Sequence, residues 1–425
     1  MDGAAAHEEC STLPDASKAA ADEGSETTMR PADEGEVVEA VRWAVAQRAP
    51  LEIVGSGSKL GLGRPVQARA TLDVSQLTGV TLYEPEELVL RAAAGTPMAE
   101  IEALLAENGQ EIASEPMDYG PLHRRKRGGG TVGGMIACNL AGPRRLKAGA
   151  ARDQILGVRV VTGRAEAIKS GGRVVKNVTG YDLSKGMTGA YGTLGVLSEV
   201  TIKVLPRAET EVTLALRGLD DAAATAAMAR AMGSSHEVSG AAHLPALVAA
   251  RVVDGALGSD PATLLRVEGF PVSVAARVDA LEGLLGGHIQ RVERDASRAL
   301  WRDVRDVAPF ADGTERAVWR VSAAPGDGYK IVEAMRQGTG VDAFYDWQGG
   351  LAWLRMEDDA EADALRRATT HFGGHATLVR APAAVRASVP VFEPEPGPLA
   401  ALSGRLKAQF DPEGVLNPGR MVAGR

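Results

Sequence analysis

The chain has 425 residues, and its 47 basic and 55 acidic side chains give a net charge of −8. This acidic balance argues against nucleic-acid binding, and the sequence contains no run of 18 apolar residues that would predict a transmembrane helix. Two cysteines, Cys10 and Cys138, are too few for a disulfide framework or a four-cysteine iron–sulfur cluster. With 50 glycines and 4% aromatic residues, the composition indicates a loop-rich globular chain of mixed helices and strands.

The first 28 residues carry most of the net charge. They contain seven acidic residues and one lysine, which together account for −6 of the total of −8. The segment is rich in Ala, Ser and Thr and has no apolar stretch typical of a secretory signal. We therefore predict a disordered acidic tail over residues 1–28, and we expect the rest of the chain to lie in the cytoplasm.

The predicted elements begin near Met29. Valines at positions 38, 41 and 45 recur at helical spacing and predict a helix over residues 35–47, whose first turn is favoured by the acidic residues Asp33 and Glu34. Short apolar runs predict strands at residues 51–54, 70–74 and 88–92.

A second helix is predicted after these strands. Thr96 and Pro97 indicate its start, as N-cap and first-turn proline, and Gly109 indicates its end. Farther along, residues 196–206 alternate between apolar and polar side chains after Val196, a pattern that predicts a half-buried strand.

Beyond Arg207 the composition changes to alanine-rich helices with short strands between them. We predict helices over residues 221–232, 271–285 and 359–370, and strands over 212–216, 264–268 and 351–356. This pattern indicates a second domain of α+β type. A last helix is predicted over residues 399–410.

A glycine-rich loop follows the strand at 51–54, with the sequence Gly55-Ser56-Gly57-Ser58-Lys59. It is not a dinucleotide-binding fingerprint, because Leu60 stands where the third glycine would be, and it is not a P-loop, because no glycine precedes Lys59. Successive backbone amides in such a loop can form an anion-binding nest, to which Lys59 adds charge. A plain surface turn is the alternative.

Two further glycine-rich segments lie within the next 140 residues. Residues 128–134 pass into an apolar stretch compatible with a helix, and residues 171–182 are followed by Gly192-Thr193-Leu194-Gly195. Three such segments suit a long anionic ligand threaded between two subdomains. Close packing of backbone at the corners of sheets is the alternative.

These motifs resemble those of the vanillyl-alcohol-oxidase/p-cresol-methylhydroxylase (PCMH) class of flavoproteins, at residues 53–59, 130–137 and 192–199. Within that class the sequence is most similar to the FAD-binding subunits of bacterial glycolate oxidase (glycolate dehydrogenase), through residues 140–145, 152–158, 174–182, 346–350, 374–378 and 410–420. The resemblance runs from about residue 30 to the C-terminus and is most specific over residues 128–206.

The resemblance implies an α+β fold with three parts after the tail. A two-subdomain PCMH-type FAD-binding domain is expected over residues 29–206 and a smaller α+β cap or substrate domain over 207–395. A C-terminal segment over 396–425 is expected to return to the FAD-binding domain.

The resemblance also implies the cofactor, FAD in an extended form, and the residues that bind it. The pyrophosphate is expected on the amides of residues 55–59, the middle of the cofactor on residues 131–134, the flavin near residues 174–182 and the adenine end at residues 195 and 196. The cofactor-binding residues carried over are Gly55, Ser56, Gly57, Ser58, Lys59, Thr131, Val132, Gly133, Gly134, Asn139, Val174, Lys176, Asn177, Gly180, Tyr181, Asp182, Gly195 and Val196.

No catalytic residue is assigned from the sequence. Arg320, Arg355 and Arg380 lie in strand-like segments and are candidates to bind a substrate carboxylate, with structural ion pairs as the alternative. His371 and His375 have the spacing of metal ligands on a helix, but two glycines between them interrupt it, so no metal site is predicted.

The expected role of the chain follows from two residues that are missing from the segment at 373–375. Related catalytic subunits carry Gly-Asp-Gly-Asn-x-His there, whereas this chain has Gly373-Gly374-His375 without the Asp and Asn. The resemblance therefore implies a companion flavoprotein in a complex with a second FAD-containing subunit and an iron–sulfur subunit. The location is then the cytoplasm, or the periphery of the inner membrane through those partners.

Three functions remain open at this point. The first is an FAD-binding subunit of a glycolate-oxidising complex, which oxidises a small 2-hydroxy acid or relays its electrons. The second is a self-sufficient FAD-dependent oxidoreductase for a 2-hydroxy acid or an alcohol, and the third is a non-catalytic assembly subunit. We expect FAD to be held without a covalent bond, the alternative being a link through His123 or Cys138.

Overall fold

The computed structural model describes residues 27–174 and 181–424. The strands are β1 (Thr27–Met29), β2 (Leu51–Val54), β3 (Ala70–Asp73), β4 (Val80–Glu84), β5 (Val89–Ala93), β6 (Gln110–Glu111), β7 (Ile155–Val161), β8 (Ala167–Gly171), β9 (Val196–Lys203), β10 (Leu205–Pro206), β11 (Thr210–Arg217), β12 (Gly240–Leu244), β13 (Ala262–Gly269), β14 (Ile289–Glu293), β15 (Val318–Ser322), β16 (Val341–Asp346), β17 (Leu351–Met356) and β18 (His375–Arg380).

The helices are α1 (Glu34–Gln47), α2 (Met98–Glu107), α3 (Val132–Ala137), α4 (Arg145–Ala148), α5 (Ala151–Gln154), α6 (Leu183–Met187), α7 (Asp221–Met232), α8 (Ala246–Ala249), α9 (Pro271–Leu285), α10 (Arg294–Arg305), α11 (Gly328–Arg336), α12 (Ala362–Phe372), α13 (Ala383–Ser388) and α14 (Gly397–Phe410). Thr27 and Thr28, which were assigned to the tail, belong to β1; the rest of the predicted tail lies outside the described residues.

The first sheet is small and parallel, with the strand order β1-β3-β2. Helix α1 covers it and buries Val37 and Val41 in one core with Leu51 and Leu72. Because β2 ends at Val54, this sheet fixes the point from which the glycine-rich loop at residues 55–59 departs.

The second sheet has five antiparallel strands in the order β4-β5-β9-β7-β8. Its central strand β9 buries Val200 and Ile202 completely, whereas Glu199 and Lys203 keep part of their surface exposed. The predicted half-buried pattern therefore describes these positions and fails at Thr201, which is buried and accepts a hydrogen bond from Nε of Arg91 at 3.2 Å.

The third sheet has eight antiparallel strands in the order β14-β11-β13-β12-β16-β17-β15-β18. Helices α7 and α9 cover one end of it and α11 and α12 the other, each pair with its own hydrophobic core. The opposite face, including Phe344 and Trp353, belongs to the largest core of the protein, which also contains Val200 and Ile202 of the five-stranded sheet. One continuous core thus joins the two larger sheets.

Helix α2 starts at Met98, one residue later than an N-cap at Thr96 would place it. Pro97, not Thr96, is the residue before the helix, and the amide of Met98 donates to the carbonyl of Gly130 at 2.9 Å. The Thr96 hydroxyl instead donates to the carbonyl of Ala93 at 2.7 Å, so it stabilises the turn after β5. The first turn of α2 is consequently held by the backbone of the second glycine-rich segment.

The end of the chain packs against its beginning. After α14, the Asp411 carboxylate accepts hydrogen bonds from the amides of Val415 and Leu416, at 3.0 and 2.9 Å. The Leu51 amide donates to the carbonyl of Val415 at 2.7 Å, and Leu51 forms a parallel bridge with Leu416. The segment after α14 therefore lies directly beside β2.

Among residues 27–174 and 181–424, no helix combines the length and the hydrophobicity needed to cross a lipid bilayer.

Candidate functional site

A cavity that opens to solvent lies where β2 ends. Four parts of the chain form its walls: the loop after β2, the start of α3, the segment that leads into β9, and the C-terminal segment. The residues that line it are Ile53, Val54, Gly55, Ser56, Gly57, Ser58, Lys59, Leu60, Leu62, Val74, Ala94, Thr131, Gly133, Gly134, Ala137, Cys138, Met187, Ala190, Tyr191, Gly192, Gly195, Leu197, Asn417 and Arg420.

The loop after β2 presents its backbone amides without using them. The four successive N–H groups from Ser56 to Lys59 donate to no oxygen within the part of the chain that the structure describes. Gly57 has φ +72°, in the left-handed region, which turns the chain at the middle of the loop. A row of successive free backbone N–H groups in a loop of this kind forms a concave site suited to an anion.

Lys59 adds a positive charge to the same wall. Its ammonium donates to the Ser58 hydroxyl at 3.2 Å and points at bare backbone, because a Cβ on Gly130 or Gly134 would lie only 3.2 or 3.3 Å from Nζ. Burial lowers the pKa of Lys59, against the opposing effect of the negative charge of Asp118. A bound anion would oppose the effect of burial and hold the ammonium charged.

Two glycines permit a close approach of backbone at the cavity. A Cβ on Gly133 would lie 2.7 Å from the carbonyl oxygen of Ala94, and a Cβ on Gly55 would lie 2.9 Å from Oγ1 of Thr131. Thr131 itself accepts a hydrogen bond from the Gly134 amide at 3.2 Å and so starts helix α3. The start of α3 and the loop after β2 are therefore in direct contact.

The cavity brings together half of the predicted cofactor-binding residues. Those that line it are Gly55, Ser56, Gly57, Ser58, Lys59, Thr131, Gly133, Gly134 and Gly195. They come from segments 60 to 140 residues apart in the sequence, and their convergence is the main result of the fold at this site.

Three predicted residues lie next to the cavity without lining it. Val132 and Val196 are fully buried in the hydrophobic cores behind its walls. Asn139 accepts a hydrogen bond from the Arg152 amide at 3.0 Å and has φ +49°. These residues hold the shape of the segments that carry the lining glycines.

The remaining predicted residues belong to the segment between β8 and α6. Lys176, Asn177 and Gly180 lie outside the described residues. Val174 and Tyr181 are 65% and 91% exposed, and Asp182 accepts a hydrogen bond from the Lys185 amide at the start of α6. A role of this segment near the flavin stays a prediction.

Several lining residues were not among the predicted ones. Asn417 accepts a hydrogen bond from the Ile53 amide at 2.9 Å and donates to the carbonyl of Tyr191 at 2.8 Å. Arg420 donates to the carbonyl of Leu62 at 3.1 Å. The run Asn417-Pro418-Gly419-Arg420 was noted in the sequence as part of a resemblance, but nothing local indicates that it reaches a loop more than 350 residues away.

Comparison with known proteins agrees with this geometry. Residues 26–171 match the family model described as "FAD binding domain". The chain is 37% identical over 387 residues to glycolate oxidase subunit GlcE of Escherichia coli, covering 91% of this chain and 97% of that protein. The chain belongs to the GlcE family.

More distant relatives match less than half of the chain. Glycolate oxidase subunit GlcD of Bacillus subtilis is 35% identical over 175 residues, which cover 40% of this chain and 33% of that protein. D-2-hydroxyglutarate dehydrogenase of Xanthomonas citri is 33% identical over 190 residues, covering 44% and 38% of the two chains.

Solved structures show the same fold. A p-cresol methylhydroxylase with substrate bound has a TM-score of 0.67 at 15% identity and covers 93% of this chain and 88% of that one. A 4-ethylphenol oxidase from Gulosibacter chungangensis gives the same values. The predicted fold class, an α+β protein with a PCMH-type FAD-binding domain, and the predicted cofactor, FAD, are thereby confirmed.

The cavity of this GlcE-family member fits FAD on its own chemistry. A dinucleotide has a diphosphate in its middle, and the free amides after β2 together with Lys59 supply donors and a charge for such a group. The rest of the lining is largely apolar and includes Val74, Met187 and Leu197, which suits ring systems at the two ends of the ligand.

Cys138 and His123, the candidates for a covalent link, are both half-buried, and Cys138 lines the cavity. Burial raises the pKa of the Cys138 thiol to about 11, so the thiol stays protonated and a poor nucleophile near neutral pH. Burial, followed by the charges of Arg386 and Arg380, lowers the pKa of His123 to about 3, and its ring packs on Gly61. Non-covalent binding stays a prediction that the Cys138 pKa favours.

The three candidate arginines have different environments. Arg355 pairs with Asp312 and Asp342, and Arg380 donates to the carbonyls of Phe310 and Arg316, so these two serve structural roles. The Arg320 side chain has no hydrogen bond or ion pair with any residue of the described ranges and lies 4.8 Å from the ring centre of Trp347.

The two histidines at metal-ligand spacing are separated by a chain reversal. His371 is in the last turn of α12 and packs against Phe372, whereas His375 begins β18. Within residues 27–174 and 181–424, no group of three or more His, Cys, Asp or Glu side chains has the arrangement of a metal site.

Proposed function

We propose that this chain is the FAD-binding subunit of a glycolate oxidase or glycolate dehydrogenase complex. The observation that carries the proposal is the convergence of the free amides of residues 56–59, Lys59 and the glycines of α3 on one cavity. Family membership supports it, because the relative that matches nearly the whole chain is named a glycolate oxidase subunit.

In this proposal, FAD carries out the redox chemistry and the residues of this chain bind and orient it. FAD, when bound, supplies a two-electron acceptor for the oxidation of a 2-hydroxy acid. In this chain, residues 55–59 hold the diphosphate, and Thr131, Gly133 and Gly134 contact the middle of the cofactor. The backbone of Gly195 and Val196 contacts the adenine end. The chain then either oxidises glycolate to glyoxylate or relays electrons between subunits.

The proposed partners are a second FAD-containing subunit and an iron–sulfur subunit. Support for a complex comes from the word "subunit" in the names of the relatives GlcE and GlcD. The sequence supports a separate iron–sulfur protein, since its two cysteines do not provide the four ligands of a cluster. The proposed location is the cytoplasm or the inner face of the membrane, through these partners.

The test is to purify the chain alone and together with its two proposed partners. We expect the isolated chain to carry flavin, released by acid, and to reduce an artificial electron acceptor with glycolate much more slowly than the complex. Full activity of the isolated chain would contradict the subunit role and favour a self-sufficient oxidoreductase. Failure to retain flavin after gentle purification with added FAD would contradict the cofactor site and favour an assembly subunit.

A further inference from the structure

Trp347 occupies an unusual position between β16 and β17. It has φ +51° and the next residue, Gln348, has φ +63°, two successive non-glycine residues in the left-handed region. Such a conformation persists only where the surroundings enforce it. Here the Trp347 amide donates to the Asp346 carboxyl at 2.7 Å and the indole Nε1 donates to the carbonyl of Gly142 at 2.9 Å.

These bonds fix the indole at the junction of the two larger parts of the molecule. Trp347 lies between two strands of the eight-stranded sheet. Gly142 lies before α4, in the half of the chain that contributes most of the cavity lining. The indole is only 5% exposed, so its ring forms a rigid wall rather than a surface group.

Two arginines lie against this ring. The guanidinium carbon of Arg145, the first residue of α4, is 4.9 Å from the ring centre, and that of Arg320, in the middle of β15, is 4.8 Å from it. Contacts of this kind orient a guanidinium group while leaving its N–H donors free. One arginine comes from each side of the junction.

Neither arginine has a carboxylate partner. In the described residues, the side chains of Arg145 and Arg320 form no ion pair and no hydrogen bond, although the neighbouring Arg144 pairs with Glu111 and Glu268. Burial lowers the pKa of Arg145, and the positive charge of Arg320 lowers it further, against the opposite effect of Asp153. Two partly buried cations that repel each other form a site that an anion would stabilise.

The charge of Arg320 also acts on the cavity. It opposes the rise in the pKa values of Tyr119 and Tyr191 that burial causes, and Tyr191 lines the cavity beside Gly192. Arg320 and the wall of the proposed cofactor site at Tyr191 are therefore within electrostatic reach of each other.

The geometry points to a carboxylate-binding site formed by Arg145 and Arg320 on the wall of Trp347, whose ligand is the carboxylate of a small 2-hydroxy acid. The planar, forked guanidinium matches a carboxylate with two parallel hydrogen bonds, and the guanidinium N–H donors of both arginines are free of protein partners in the described residues. This inference rests on the proposed function and adds that the chain has a substrate site of its own, rather than serving as an electron relay alone.

The test is calorimetric titration of the FAD-loaded protein with glycolate and with oxalate, a non-oxidisable analogue. Arg320→Gln and Arg145→Gln should each weaken oxalate binding at least tenfold, with flavin content and melting temperature close to those of the wild type. Arg320→Lys, which keeps the charge but loses the fork, should fall between. Arg405→Gln, which removes an exposed arginine from α14, is the matched control and should bind as the wild type does.

Each outcome has a separate meaning. Unchanged oxalate affinity in folded, flavin-loaded Arg320→Gln would overturn the site, as would the absence of any binding by the flavin-loaded wild type. If Arg320→Gln fails to fold, Arg320→Lys and Arg145→Lys provide the same comparison, and wild-type affinity in both would overturn it. A wild-type protein that binds oxalate but no flavin would instead contradict the proposed function and leave this site standing.

Discussion

Gly133 shows how single residues determine the cavity wall. A Cβ at this position would meet the carbonyl oxygen of Ala94 at 2.7 Å and the Ala94 Cβ at 2.8 Å, and Ala94 is the buried residue directly after β5. The sequence predicted a role for this glycine from a cluster of glycines and a resemblance. It did not predict the neighbour, because β5 is brought against α3 by the sheet rather than by local sequence.

We predict that Gly133→Ala lowers the free energy of unfolding by about 1–3 kcal/mol, the usual cost of overpacking a tight contact. It should also weaken FAD binding, because α3 must shift away from β5. Thermal unfolding and a fluorescence titration with FAD measure both effects.

Gly186→Ala is the matched control for this substitution. Gly186 lies in α6, and no atom lies within 4 Å of a Cβ placed there. Its stability should rise slightly or stay unchanged, since Ala has the higher helix propensity. Equal effects of the two alanines would contradict the steric explanation.

At the scale of elements, periodicity was a good guide to helices and a weaker one to caps and burial. The helices predicted over 221–232 and 271–285 have the observed bounds of α7 and α9, because their alanine-rich sequences are bounded by Asp220 and Pro271. The prediction of Thr96 as the N-cap was wrong, because its hydroxyl donates to the carbonyl of Ala93. The half-buried pattern of β9 fails at Thr201, because this residue is buried beside Arg91.

A network of buried charges connects elements from the two halves of the chain, and no sequence pattern indicated it. Glu115, which follows β6, pairs with Arg266 of β13 at 2.8 Å, and Arg144 before α4 pairs with Glu268 of the same strand. Burial raises the pKa of Glu115, but the charges of Arg266 and Arg144 outweigh this and hold it at about 2. The network fastens the eight-stranded sheet to the segments beside the cavity.

We predict that Glu115→Gln lowers the free energy of unfolding at pH 7 by about 3 kcal/mol, because it leaves Arg266 and Arg144 incompletely paired. The pKa of Glu115 falls from an ordinary 4.5 to about 2 on folding. Its contribution is therefore present above pH 4.5 and lost as the pH falls from 4.5 towards 2.

Chemical denaturation at several pH values tests this prediction. The difference between the wild type and Glu115→Gln should shrink over that pH range. Glu282→Gln, which breaks an exposed pair with Arg291, should cost less than about 1 kcal/mol and serves as the control. A pH-independent difference for Glu115→Gln would contradict the electrostatic explanation.

For the molecule as a whole, the C-terminal segment completes the cavity wall through Asn417 and Arg420. Asn417 joins the Ile53 amide and the Tyr191 carbonyl, and it has φ +42°. The fold class and the glycine segments could be predicted from the sequence, since both depend on local motifs. The contacts of Asn417 could not be predicted, because they depend on where the segment after α14 packs in the folded protein.

We predict that Asn417→Gly lowers the free energy of unfolding by about 2 kcal/mol and weakens FAD binding. Glycine accepts the left-handed conformation, so the loss reports the two missing hydrogen bonds rather than backbone strain. Thermal unfolding and FAD titration measure it, with Gln409→Ala, an exposed substitution on α14, as a control expected to change little. Wild-type FAD affinity in Asn417→Gly would show that the chain end does not support the site.

The central claim is that the free amides of residues 56–59 hold the diphosphate of FAD, and Gly57 offers the most direct test. A side chain there has room, since the nearest atoms to its Cβ are Cδ1 of Leu60 at 3.5 Å and Nη1 of Arg125 at 3.7 Å. Asn and Asp both tolerate the positive φ and differ mainly in charge.

The measurement is an FAD titration of folded Gly57→Asp against folded Gly57→Asn. We predict that Gly57→Asn still binds FAD, whereas Gly57→Asp loses it, because a carboxylate in the nest repels the diphosphate. Equal FAD affinity in the two variants would contradict the placement of the diphosphate at this loop.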